Sequence, residues 1–284
     1  MAQLGAWLDS LVLDRKVSTG TGVVLKVIES DPAAASYLTA QKLAKRAAVN
    51  VATVVRTAQF LGFSGWPALK LELRHRYLAT KTSEDLLAEH SSTALGAGLT
   101  QATLTNDLEN LTSLAANIDP EQIRRVAAVI AKARRTLVIA TGSYSAPGIQ
   151  LSHIGQMMGH DIELLTSSGT SLVNRLRVLG PEDCIFFCNL WRSSSFIATV
   201  AEIARDRGAR VLVLADRQTA LSDIAEEAII VPSEGVSFVP SIVGAVSAVQ
   251  AILAEIAAVD PERTISALRE VETLWNELDL VDPV

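Results

Sequence analysis

Two sets of residues in this sequence have types and spacing suited to binding rather than to packing. The first is Thr39, Lys42, Asn50, Val51, Thr53 and Arg56. Short polar groups followed by an arginine suit base edges in a DNA major groove, where Arg56 could read a guanine or hold a phosphate. Lys45, Arg46 and Lys70 could neutralise backbone charge. The second set lies in three hydroxyl-rich runs. Ser143 and Ser145 fall in Thr141-Gly142-Ser143-Tyr144-Ser145, and Ser168 falls in Thr166-Ser167-Ser168-Gly169-Thr170. Arg192, Ser193 and Ser194 fall in Asn189-Leu190-Trp191-Arg192-Ser193-Ser194-Ser195. Hydroxyls, helix-terminal amides and a guanidinium suit a small anion such as a phosphate or carboxylate. Serine capping of ordinary helices explains any one run; three at one sheet edge favour a shared site.

The elements that must position the first set are helices. Val23, Val24, Val27 and Ile28 repeat at helical spacing, and Asp31-Pro32 ends that helix. Thr39 is an N-cap for a helix through Ala47, a short turn follows at Ala48-Val49, and Asn50 caps a second helix to Leu61, with Gly62 as its stop. Ala44 is small where the two helices cross, and Leu43, Val49, Val54 and Leu61 supply facing apolar positions. Ala48 stands where a turn glycine is usual. Pro67 begins a further helix over Ala68–Tyr77. A helical hairpin with a solvated basic face would show the same periodicity.

The second set sits in a different pattern. Two helices are expected over 99–117 and 120–134. From Thr136 short apolar runs alternate with helical stretches, with strands at Leu137–Ala140, Ile162–Leu165, Cys184–Asn189, Val211–Ala215 and Ile229–Val231. Such alternation implies an α/β domain with a mainly parallel five-stranded sheet covered on both faces. Each hydroxyl-rich run then follows a strand, at the edge where ligands bind in such sheets. Pro240–Ala258 reads as a long helix apolar nearly all round, hence core or dimer interface. With Ile265–Leu278 it predicts a homo-oligomer, a dimer or tetramer.

Composition bounds the rest. The chain has 284 residues, 49% hydrophobic and 20% charged, which suits two packed domains and excludes a disordered chain. The net charge of −6 is unevenly spread: residues 1–80 hold 10 Lys and Arg against 5 Asp and Glu, and residues 81–284 hold 15 against 26. A basic first domain on an acidic body points to a polyanion partner for the first domain alone. No apolar run is long enough for a membrane span, and the N-terminus lacks signal-peptide features, so a cytoplasmic location without a membrane partner is expected. Cys184 and Cys188, four apart on one strand, are about 13 Å apart, too far for a disulfide. The histidines and cysteines show no metal-ligand spacing, and no metal or other cofactor is expected.

At Leu38–Gly65 the sequence resembles a known family. The runs Leu-Thr-Ala-Gln-Lys-Leu-Ala, Asn-Val-Ala-Thr-Val-Val-Arg and Leu-Gly-Phe-Ser-Gly-Trp are similar to the helix-turn-helix of RpiR-type (MurR/RpiR) transcriptional regulators. The resemblance extends over nearly the whole chain. It implies a helix-turn-helix domain over 1–80, a linker over 81–98 and a C-terminal sugar isomerase (SIS) domain over 99–284. It also implies a double-stranded DNA operator and a small anionic metabolite, a sugar phosphate or carboxylate, as partners. In that family the first SIS loop reads Gly-x-Ser and the third Ser-x-Ser-Gly-x-Thr. Gly142, Ser143 and Ser145 keep the first; Asn189, Trp191 and Arg192 depart from the third. Losing that glycine removes close backbone approach to a phosphate, while Arg192 adds a guanidinium that can itself bind an anion. Two alternatives stay open: an SIS sugar-phosphate isomerase, for which Glu234 and His153 are the candidate bases, or a domain that only dimerises. No catalytic motif surrounds either residue, and the expectation is a regulator, not an enzyme.

Overall fold

The computed structural model describes residues 2–13, 15–85, 87, 98–167, 169–191, 195–236 and 240–280. They form two units, Met1–Ser92 and Thr93–Val284.

The first unit is helical: α1 (Ala2–Val12), α2 (Thr19–Ser30), α3 (Pro32–Tyr37), α4 (Ala40–Arg46), α5 (Val51–Phe60) and α6 (Trp66–Ala79). The helices are short because polar caps cut them. Ser18 caps α2, and its hydroxyl accepts from the Thr21 amide. Asp31 closes α2 and starts α3, accepting from the Ala34 amide at 3.0 Å. Leu8, Val24, Ile28, Leu43, Val54, Leu69 and Leu73 meet in one core. Each such fully buried side chain contributes roughly 1.5–3 kcal/mol. Trp7 lies edge-on to Phe63, and the Arg76 guanidinium lies over the Trp7 ring, so α1 is part of this core.

The second unit begins with α7 (Leu99–Asn117) and α8 (Pro120–Lys132). Strands and helices then alternate: β1 (Arg135–Ala140), α9 (Ser145–Met157), β2 (Ile162–Leu165), α10 (Thr170–Arg177), β3 (Asp183–Asn189), α11 (Ser195–Asp206), β4 (Arg210–Ala215), α12 (Ala220–Ile224) and β5 (Glu227–Ile230). Two helices close the unit, α13 (Val243–Val259) and α14 (Pro261–Glu277). All strand pairs are parallel, in the order β2-β1-β3-β4-β5.

Side chains alternate across each strand, so the sheet feeds two cores. Val138, Phe186, Cys188, Leu212 and Leu214 face α7, α8, α9 and α13. Leu137, Ile139, Ile185, Phe187 and Val213 face α10, α11 and α12. The helix expected over Pro240–Ala258 starts later, at Val243. Ser241 instead donates its hydroxyl to Asp107 at 2.6 Å and accepts from the Val243 amide, so the preceding residues serve as a polar entry. Gly244, Ala248, Val249, Ile252 and Ile256 of α13 are buried within this chain. That face of the helix packs in the core.

One close approach sets the site. α9 lies on the sheet through Gly148 and Gly155. A Cβ at Gly148 would come within 3.0 Å of Leu164 and 3.2 Å of Val138, and one at Gly155 would collide with Ile162. Two glycines seven residues apart let the helix sink onto β1 and β2, which fixes the height of its N-terminus above the sheet edge. No single helix among the described residues is long and apolar enough to cross a membrane.

Candidate functional site

In the first unit α4 and α5 meet across the turn 47–50. Ala44 is buried at the crossing, Leu43 and Val54 pack fully, and Val49 is half-buried. The turn is left-handed at Ala48, with φ of 51°. A side chain there costs roughly 1–2 kcal/mol. Asn50 caps α5: its Oδ1 accepts from the Thr53 amide at 2.8 Å and from the Thr53 hydroxyl at 2.9 Å. Thr53 is therefore a positioning group, and its methyl also lies against α2, where a Cβ on Gly20 would meet it at 2.9 Å. Thr39 caps α4 by accepting from the Lys42 amide at 3.3 Å.

These caps leave Asn50, Val51, Ala52, Arg56 and Gln59 exposed along one face of α5. Among the described residues Lys42, Lys45 and Arg56 make no ion pair. Arg46 differs, because it holds Asp31 at 2.7 Å. The Ala34 amide, and then the Arg46 guanidinium, keep the Asp31 carboxyl below its usual range. Sequence reasoning did not assign Trp66 a role. Only 2% exposed, it donates its ring N–H to the Leu38 carbonyl at 3.0 Å and so pins the start of α4. Its place after Gly-Phe-Ser-Gly was visible; its partner, 28 residues away, was not.

In the second unit the order of strands reverses between β1 and β3. The chain leaves β1 for β2 on one side and returns to β3 on the other. The loops after β1 and β3 therefore part above neighbouring strand ends, with Ala140 in register with Cys188. Such a switch point is where open α/β sheets bind ligands. The loop after β1 is a 3-10 turn, Gly142–Tyr144, leading into α9. Ser143 is exposed there, and Ser145 donates its hydroxyl to the Gly142 carbonyl at 2.6 Å. The loop after β2 lies one strand further out, at the sheet's edge strand. Ser168, Arg192, Ser193 and Ser194 lie outside the described residues.

Both flanks of the β3 loop are described. Ser195 opens α11, and Trp191 adopts a left-handed φ of 70°. The Trp191 amide donates to Asp216 Oδ2 at 2.9 Å, and Ser233 donates its hydroxyl to the same oxygen at 3.1 Å. Asp216, at the end of β4, is 3% exposed. A hydrogen bond to a buried carboxylate, worth about 1.5–3 kcal/mol, is of the size needed to hold a tryptophan in this backbone state. Of the candidate bases, His153 is exposed on the third turn of α9. Glu234 is half-buried, and its main-chain carbonyl accepts from the side-chain amides of Asn106 and Asn110, the latter at 2.8 Å. Cys184 and Cys188 are free and buried; burial pushes the Cys188 thiol up to about 12, so neither is a nucleophile. No group of described His, Cys, Asp or Glu side chains could hold a metal ion.

A helix-turn-helix whose second helix exposes Arg56, joined to a parallel α/β domain with a switch in strand order, fits a two-domain DNA-binding regulator. The comparisons name the family. Residues 16–81 match the model of the helix-turn-helix domain of the rpiR family. The structure of an RpiR transcription factor from Sphaerobacter thermophilus (sugar isomerase domain) is 30% identical, with a TM-score of 0.59, over 62% of this chain and 98% of that one. The Vibrio vulnificus NanR protein complexed with ManNAc-6P is 19% identical and aligns over 97% of this chain and 98% of its own, with a TM-score of 0.60; this likeness shows the fold of both units. No curated protein sequence matches significantly. The chain belongs to the RpiR family of transcriptional regulators, with an N-terminal helix-turn-helix and a C-terminal SIS domain.

The left-handed turn residue makes one prediction. Ala48→Gly relieves the backbone cost, less about 0.4–1 kcal/mol for the freer unfolded chain. The expected result is a net gain of about 0.5–1 kcal/mol in thermal or urea unfolding of the full chain. A destabilised variant would contradict the left-handed assignment.

Proposed function

We propose that this regulator binds its operator through residues 1–80 and is controlled by a small anion held at the β1/β3 crevice. Residues 81–98 would serve as the linker and 99–284 as the sensing and pairing domain. The observation that carries the reading is Arg56, an exposed arginine on the outward face of α5 that makes no ion pair among the described residues. Asn50, Val51 and Arg56 would face base edges; Thr39 and Thr53 would set the helices in register, and Lys42 would meet a phosphate. The anion would lie among Ser143, Ser145, Ser168, Arg192, Ser193 and Ser194. A sugar phosphate is the favoured class, because the NanR structure carries ManNAc-6P; a carboxylate fits the same groups.

Turnover is not part of this reading. His153 is exposed, and no catalytic motif surrounds it or Glu234. The chain would act in the cytoplasm as a dimer or tetramer. Exposed Leu104 and Leu108 on α7, and Ile265, Leu274 and Leu278 on α14, support that pairing. A two-fold assembly would match a roughly palindromic operator.

Two substitutions separate the halves of the proposal. Arg56→Ala should weaken binding to promoter DNA by about 1–3 kcal/mol in fluorescence anisotropy; affinity equal to the parent would remove Arg56 from the base-reading set. Arg192→Ala should leave DNA binding intact and cost about 1.5–3 kcal/mol in binding of ManNAc-6P or inorganic phosphate by calorimetry. Unchanged anion binding in that variant would move the site elsewhere.

A further inference from the structure

Trp191, at the start of the β3 loop, is joined to a distant helix by a run of hydrogen bonds between buried and half-buried groups. It starts at the Trp191 amide, passes to Asp216 Oδ2, and continues to the Ser233 hydroxyl, which bonds the same oxygen. The next residue, Glu234, offers its main-chain carbonyl to Asn110 at 2.8 Å and to Asn106, both on α7. A second bond runs beside it: the Ser241 amide donates to the Ser233 carbonyl at 3.0 Å, and the Ser241 hydroxyl donates to Asp107 of α7 at 2.6 Å. Asp216, Ser233 and Asn110 are buried. Three asparagine and aspartate side chains within five residues of one helix thus all serve the segment after β5.

Three features make this arrangement more than a packing detail. A carboxylate is a costly group to bury, and a neutral side chain would fill the space at less cost. The donor it holds is the amide of a residue in a left-handed backbone state, which persists only where the surroundings enforce it. And α7 is the helix at which the second unit begins, directly after the linker. A cavity of about 280 Å³ lies beside the tie, lined among others by Asn106, Asp107, Gly235, Ser241 and Val243.

We propose that Asp216 is the positioning residue of Trp191, where the chain leaves β3, and that through Ser233 and Glu234 it ties the state of Trp191 to α7. This rests on the reading of the loop as part of an anion site, and it names the route by which occupancy of that site reaches the helix next to the linker. Binding that displaces Trp191 from its left-handed state removes one of the two donors on Asp216 Oδ2, lets the carboxylate shift together with Ser233, and so moves the carbonyl on which Asn106 and Asn110 are anchored. Looser anchoring of α7 in turn relaxes the loop, as coupling must act equally in both directions.

The test needs no ligand. The full-length protein labelled with 5-fluorotryptophan gives one fluorine resonance for each of its 4 tryptophans, and Trp191→Phe assigns the line of interest. Asp216→Ala is expected to move the Trp191 line and leave those of Trp7 and Trp66 in place. Asp216→Asn, which keeps an acceptor oxygen, is expected to restore it. Asn110→Leu, which cuts the far end, is expected to move the Trp191 line as well. In the reverse direction, Asp216→Ala should speed hydrogen exchange in α7 around Asn110 by about tenfold, with α8 unchanged as the control. If Asp216→Ala does not fold, Ser233→Ala carries the same expectations. A Trp191 line unmoved by loss of the carboxylate overturns the positioning role. A line unmoved by Asn110→Leu, or α7 exchange equal to the parent, overturns the tie. A failure here leaves anion binding standing, and a failure of anion binding leaves the tie standing.

Discussion

A parallel strand cannot return to its neighbour by a hairpin; each return must cross the sheet through a helix. That constraint organises the second unit. Every strand runs the same way, so every loop that follows a strand emerges at one edge, and helix N-termini gather there with unpaired amides. The reversal of strand order between β1 and β3 opens the crevice at this edge. Gly148 and Gly155 then bring α9 down onto the sheet, so the first loop sits at the strand ends rather than above them. The hydroxyl-rich loops owe their common location to this geometry, and Asp216 owes its reach to it, since the end of β4 adjoins the end of β3.

The first unit solves a different problem with polar caps. Its helices are too short to be stable alone, and Ser18, Asp31, Thr39 and Asn50 begin α2 to α5 where the core requires. The same caps decide which side chains remain for DNA. Asn50 and Thr53 spend hydrogen bonds on each other, and Arg46 spends its charge on Asp31. What is left facing outward is a short stripe that includes Arg56 and runs to Gln59, on a helix held by Leu43, Val54 and the Trp66 bond to Leu38. In the proposed reading, recognition and stability draw on the same few residues, and the division between them follows from geometry more than from residue type.

Much of this was legible from residue order because periodicity and capping are local signals. Thr39 and Asn50 were readable as N-caps, Gly62 as a stop, and the five strands from short β-branched runs. Ala48 was visible as a departure from glycine, and the structure gives it the left-handed φ that glycine would hold at no cost. The start of α13 was not legible: Pro240 to Ile242 continue an apolar composition, and only the Ser241–Asp107 bond shows where the helix begins. The partners of Trp66, Asp216 and Asn110 were hidden for the same reason. Each bond spans a long stretch of chain, and a buried polar pair leaves no periodic trace in sequence. The two helix glycines at 148 and 155 were a missed signal, since glycine inside a helix is tolerated mainly where another element comes close.

The central claim is that one small anion and one operator act on the same molecule through the two units. Linkage makes this measurable without knowing the route: an anion that changes DNA affinity must have its own affinity changed by DNA by the same factor. The direct measurement is the Kd of the full-length protein for its own promoter DNA at fixed salt, with and without saturating sugar phosphate, paired with the Kd for that sugar phosphate with and without DNA. The account predicts equal factors in the two directions, about fivefold or larger. Promoter affinity that is the same with and without the bound sugar phosphate would contradict it.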